Sequence, residues 1–176
     1  MTVYLARNPR CFFWALTFLL FIVATIHAQT PEPKEPAWFQ AGAGVGGVLN
    51  RNHDRNLLSS VEYRLSQNWV GLHPYLTVDF AFDGAWYFGT GLLYNFDLSP
   101  HLRLTLSTGP GYYDRNRRGT DLGYSIEFLS NAELTYALRN HHRLGISIGH
   151  ISNGHLGRLN PGSEGVRFMY GIPLGK

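Results

Sequence analysis

A chain of 176 residues with a formal net charge of +3 has room for one domain, and so mild a positive balance gives no ground for a nucleic-acid partner. Its slightly negative mean hydropathy excludes a bundle of membrane-spanning helices. Aromatic residues at 14% and 20 glycines suit β-structure with one face in lipid, and the single cysteine, Cys11, has no partner for a disulfide within the chain.

Residues 1–28 read as a secretory signal: Arg7 and Arg10 are the positive start, Cys11 through Ile26 is almost wholly apolar, and Ala28 is a small residue at the cleavage position. The alternative is an uncleaved N-terminal anchor helix. Cys11 stands at the beginning of the apolar run, so a lipid-modified cysteine is not expected. After cleavage the chain holds no cysteine and no apolar run long enough for a spanning helix. Residues 29–36 carry three prolines and predict an extended, exposed leader.

From Ala37 the apolar pattern has period two. The first strand, about 37–49, puts Phe39, Ala41, Ala43 and Val45 on one face, with a turn from Asn50 to Arg55 after it. The second, about 57–66, sets Leu57, Val61, Tyr63 and Leu65 against Ser60, Glu62, Arg64 and Ser66. The third, about 70–82, alternates Leu76, Val78 and Phe80 with Tyr75, Thr77 and Asp79, and Asp83-Gly84 predicts a two-residue hairpin. The fourth, about 85–96, presents Trp86, Phe88, Leu92, Tyr94 and Phe96. The fifth, about 102–112, sets Leu102, Leu104 and Leu106 against Arg103, Thr105 and Ser107; a polar loop with Arg115, Arg117 and Arg118 follows. The sixth, about 122–138, sets Ile126, Phe128, Ala132, Leu134 and Tyr136 against Glu127, Asn131 and Glu133. After a turn at 139–142 come a seventh strand through Leu144, Ile146, Ile148, His150 and Ser152, and an eighth through Glu164, Val166, Phe168, Tyr170 and Ile172.

Eight strands, each with one apolar and one polar or glycine-rich face, fit an all-β, eight-stranded antiparallel transmembrane β-barrel over 37–176, its apolar faces outward. A periplasmic β-sandwich is the alternative, with those faces in a core. The barrel is favoured by the signal segment, by aromatics near strand ends (Trp86, Phe96, Tyr136, Tyr170) and by charges of both signs on the opposite faces. Small barrels fill their interiors with side chains, so Glu62, Asp79, Glu127 and Glu133 with Arg64, Arg103 and Arg167 predict an internal ion-pair network rather than a channel.

Chemistry concentrates in His150 to Glu164, His-Ile-Ser-Asn-Gly-His-Leu-Gly-Arg-Leu-Asn-Pro-Gly-Ser-Glu. His150, Ser152 and Glu164 have the residue types of base, nucleophile and orienting acid in a serine hydrolase, and all three fall on the apolar face of consecutive strands. Polar groups there would be costly without pairing or purpose. His155 is a competing base but lies in the loop, and His141-His142 is a turn without acid partners.

This segment resembles the outer-membrane lipid A 3-O-deacylase family (PagL-like), whose His-x-Ser-Asn element, later Asn and Glu match His150, Ser152, Asn153, Asn160 and Glu164. The resemblance implies an eight-stranded barrel in the bacterial outer membrane with a Ser-His-Glu triad facing lipid, acting on lipid A of lipopolysaccharide. Ser152 would attack the ester, His150 take its proton and Glu164 hold the imidazole. Asn153 and Gly154 would supply the oxyanion hole, with Asn160 supporting the loop. Arg115, Arg117 and Arg118 would meet lipid A phosphates. No cofactor or metal is expected. The rival functions are an acyltransferase on the same barrel and a non-enzymatic adhesive or structural barrel.

Overall fold

Alternating polarity resolves into eight antiparallel strands: β1 (Ala37–Gly46), β2 (Asn56–Arg64), β3 (Leu72–Ala81), β4 (Trp86–Asp97), β5 (Leu102–Asp114), β6 (Ile126–Ala137), β7 (Arg143–Ser152) and β8 (Ser163–Leu174). The computed structural model describes residues 35–48 and 55–175. The expected signal segment 1–28, residues 29–34 of the leader, and the turn residues Asn50 to Asp54 lie outside the described residues. Each strand pairs with its sequence neighbours and β1 pairs with β8, so the sheet closes on itself. Closure leaves no edge of unpaired backbone groups, the condition for a sheet to sit in hydrocarbon.

Polarity decides between barrel and sandwich. Phe39, Val61, Leu76, Phe80, Phe88, Leu134, Ile146, Ile148 and Phe168 are exposed, while Gln40, Glu62, Arg64, Thr77, Asn131, Glu133, Thr135 and Arg167 are buried. A sandwich would bury the first set; a membrane barrel turns it outward. Aromatics gather at both rims. Trp86 and Tyr112 lie 5.5 Å apart between ring centroids at one end, and His101 stacks on Tyr136 at the other.

The interior is packed rather than open. Arg64 binds Glu62 through Nε at 2.5 Å and Glu133 through Nη2 at 2.9 Å. Arg167 donates to Asp79 at 2.7 Å and to Asn131 at 2.7 Å. Tyr87 is buried over Gly89 and Gly111, where a Cβ would lie 2.4 Å from its hydroxyl and 2.3 Å from its Cζ, respectively. Two members of the expected network differ. Arg103 belongs to the mouth at the start of β1, where it binds Glu35 and Asp97. Glu127 is buried, yet neither carboxyl oxygen has a hydrogen-bond partner among the described residues. Its cross-strand neighbour on β5 is Gly111, which offers no donor side chain.

The turns refine the strand limits read from the sequence. β3 begins at Leu72 rather than 70 because Val70-Gly71 forms a tight turn between Trp69 and Leu72, both central residues having positive φ. Asp83-Gly84 is not a two-residue hairpin. Gly84 N–H donates to Ala81 O and Ala81 N–H to Ala85 O, making a three-residue loop with Gly84 at φ +98°. The β6–β7 loop repeats this plan with His141, at φ 65°, in the glycine's place. β6 starts at Ile126 rather than 122 because the segment before it turns at Gly123 and is tied to the β7–β8 loop.

Two outcomes follow. His141→Gly removes a left-handed non-glycine residue and stabilises the barrel by about 1 kcal/mol in urea unfolding from micelles. Arg64→Met leaves two buried carboxylates unpaired and costs about 3–5 kcal/mol in the same assay.

Candidate active site

Register brings the reactive groups together. His150 pairs directly with Glu164 across β7 and β8, and both side chains point outward. His150 Nδ1 lies 3.2 Å from Glu164 Oε1, with the two side chains 22% and 24% exposed. A carboxylate only accepts, so in the neutral ring Nδ1 carries the hydrogen and Nε2 keeps the lone pair a base needs. The backbone of Gly162 lies against that edge of the ring. A Cβ there would sit 2.9 Å from Cε1 and 3.4 Å from Nε2, and the residue has φ +64°. Gly162 was missed in the sequence, although Pro161-Gly162 is a turn signal.

Ser152 ends β7 on the same face as His150, one pleat repeat away, about 6.6 Å along the strand. It pairs with Phe128 of β6 and is 4% exposed although it points to the lipid side. The structure thus brings His150 and Glu164 into contact, with Ser152 next along the wall.

Asn153 is fully buried, and its hydrogens are committed elsewhere. Its Nδ2 donates to Leu122 O at 2.8 Å and to Leu159 O at 2.7 Å, and its main-chain N–H donates to Asn160 Oδ1 at 3.0 Å. Its Oδ1 accepts from His155 N–H. In this arrangement Asn153 braces the β5–β6 and β7–β8 loops against each other and has no hydrogen free for an oxyanion. Gly154 N–H, beside it at φ +59°, donates to no acceptor among the described residues. Asn160 Oδ1 accepts the Asn153 N–H, and its Nδ2 lies 3.1 Å from His155 Nδ1.

Arg115, Arg117 and Arg118 are exposed on the β5–β6 loop at the same end of the barrel. Arg115 forms a 2.8 Å surface pair with Asp121. Arg158, which the sequence reading left aside, is exposed on the β7–β8 loop. His142 lies at the opposite end, its Nδ1 2.5 Å from the Tyr170 hydroxyl. Among the described residues no three His, Cys, Asp or Glu side chains converge as metal ligands.

Asn153→Ala deletes three side-chain hydrogen bonds and costs about 2 kcal/mol. Limited proteolysis of the micellar protein then shows faster cleavage in residues 115–125 and 154–162, with the strands still protected.

The lipid A 3-O-deacylase (PagL) family model matches residues 60–173. Among solved structures, the chain is similar to the outer membrane enzyme PagL at 18% identity, covering 78% of this chain and 99% of that one with a TM-score of 0.60. It is also similar to Neisserial surface protein A, NspA, at 12% identity, covering 81% and 100% with a TM-score of 0.62. A de novo designed transmembrane β-barrel gives 14% identity, 81% and 100% coverage and a TM-score of 0.54. At these identities the structural likeness is one of fold. No curated protein sequence matches the chain. The family match runs from β2 through β8 and includes His150, Ser152 and Glu164. The chain therefore belongs to the lipid A 3-O-deacylase (PagL) family and is a barrel of the bacterial outer membrane.

Proposed function

We propose that the protein hydrolyses the ester-linked 3-O-acyl (hydroxyacyl) chain of lipid A, with Ser152 as nucleophile, His150 as general base and Glu164 as the group that orients the imidazole and stabilises its charged form. The observation that carries this reading is the hydrogen-bonded His150–Glu164 pair on the lipid-facing wall, one residue pair from Ser152. On that wall such groups are retained at a cost unless they act.

His150 Nε2 takes the proton of Ser152 Oγ as Oγ attacks the ester carbonyl carbon. The tetrahedral oxyanion collapses, the sugar oxygen leaves with the proton returned by His150, and Ser152 holds the acyl group. Water, deprotonated by the same nitrogen, then attacks the acyl carbon and releases the fatty acid, restoring Ser152. Glu164 accepts the Nδ1 hydrogen and stabilises the imidazolium in both steps. Gly154 N–H is the donor next to Ser152 that would face the oxyanion. If β1 starts and β8 ends at the periplasmic side, the up-and-down strand order turns the β7–β8 loop outward and Ser152 would lie at the depth of the outer leaflet. Arg115, Arg117, Arg118 and Arg158 stand on the same rim, where guanidinium groups would meet lipid A phosphates.

Incubating refolded protein with lipid A and weighing the product by mass spectrometry tests this. Wild type removes one hydroxyacyl chain, and Ser152→Ala and His150→Ala lower the rate at least about 1,000-fold, with Glu164→Ala costing less than either. A mass gain instead of a loss makes the protein an acyltransferase, and unchanged lipid A with a folded wild type makes it a non-enzymatic barrel. Gly162→Ala pushes the imidazole off its position and lowers kcat about 100-fold with KM little changed, read in the same assay at varied substrate.

A further inference from the structure

The row that holds His150 and Glu164 does not stop at β7. The pairings Glu164–His150, His150–Ser130 and Ser130–Thr108 carry one line of polar side chains across four strands of the outward face. The row on one side is apolar: Val166, Ile148, Ala132 and Leu106. On the other side Ser152 stands beside Phe128. Ser130 and Thr108 hydrogen-bond each other at 2.9 Å. A hydroxyl pair of this kind uses one hydrogen for the mutual bond and keeps a second hydrogen and lone pairs. The proposed hydrolysis uses neither residue, and a polar pair facing hydrocarbon is costly.

Side-chain size makes the row a depression. Ser130 is 5% exposed between the larger His150 and Thr108, and below it Ala132 is exposed. An acyl chain running from Ser152 toward the membrane centre would pass over Ser130 and then Ala132, between Ile148 and Leu106. Ser130 is the diagonal cross-strand neighbour of Ser152, about 7–8 Å away at Cα. A group two carbons along the chain from a carbonyl held at Ser152 falls within reach of that hydroxyl.

We propose that Ser130, oriented by Thr108, is a specificity-determining residue that hydrogen-bonds a hydroxyl on the third carbon of the acyl chain, so that hydroxylated acyl esters are cut in preference to unsubstituted ones. This rests on the ester-hydrolase reading of the neighbouring site. An unsubstituted chain would leave the Ser130 hydroxyl facing hydrocarbon, and a site built for a hydroxyl discriminates against its absence.

The test uses the full refolded protein in micelles and two synthetic 3-O-acylated glucosamine phosphates of equal chain length, one acyl chain hydroxylated at its third carbon and one not. The readout is the ratio of their kcat/KM values, with folding checked by heat-modifiable migration. The ratio is about ten in wild type, near one in Ser130→Ala, intermediate in Thr108→Val, and retained in Ser130→Thr, which keeps the hydroxyl. A wild-type ratio near one, or a ratio of ten that persists in folded Ser130→Ala, overturns the assignment while leaving the hydrolase intact. A wild type that cuts neither ester removes the hydrolase reading and this one with it.

Discussion

A closed sheet in hydrocarbon must pair every backbone group within itself and turn its polar side chains away from lipid. Everything else about this barrel depends on that constraint. It explains why Leu134, Ile146 and Phe168 are exposed and Glu62, Arg64 and Glu133 are not. It also makes the exceptions legible. Glu164, His150, Ser130 and Thr108 lie in one outward row, each hydrogen-bonded to a neighbour in the row. A polar group facing lipid is destabilising unless paired. Here the pairing is of the kind that sets a histidine tautomer, which is why the row is read as chemistry rather than as a flaw in the wall.

The interior supplies rigidity rather than passage. Arg64 spans Glu62 on its own strand and Glu133 on β6, and Arg167 joins β8 to Asp79 on β3 and Asn131 on β6. These bonds cross the lumen and fix the strands that carry the outer row. Arg167 neighbours Val166 and Phe168 on the strand of Glu164, so the ion pair inside and the proposed relay outside share a backbone. At the rim that carries the β5–β6 and β7–β8 loops, Asn153 does the same by holding Leu122 and Leu159. A site on a lipid-facing wall has little surrounding protein to hold it, and this bracing stands in for it.

Much of this was legible in the sequence because β-strands encode their faces with period two. That alternation sorts Leu144, Ile146, Ile148, His150 and Ser152 onto one side without further information, and the structure keeps that sorting. Alternation does not encode register. Nothing in the chain places Ser130 opposite His150, since that depends on where β6 begins, and β6 begins four residues later than its apolar pattern suggests. Turn conformation was similarly hidden: Asp83-Gly84 has the composition of a two-residue turn, yet Gly84 serves the last position of a three-residue loop. The identity of Asn153 was noticed, but its hydrogens could not be assigned until Leu122 and Leu159 were seen beside it.

In the proposed reaction Ser152 is a nucleophile activated by His150. Reacting the refolded barrel with a fluorophosphonate and locating the adduct by peptide mass spectrometry tests it most directly, because the reagent needs an activated hydroxyl and no lipid substrate. One adduct is expected, on Ser152, lost in His150→Ala and slowed in Glu164→Gln. An adduct that forms as fast without His150, or a folded protein that never labels, would contradict it.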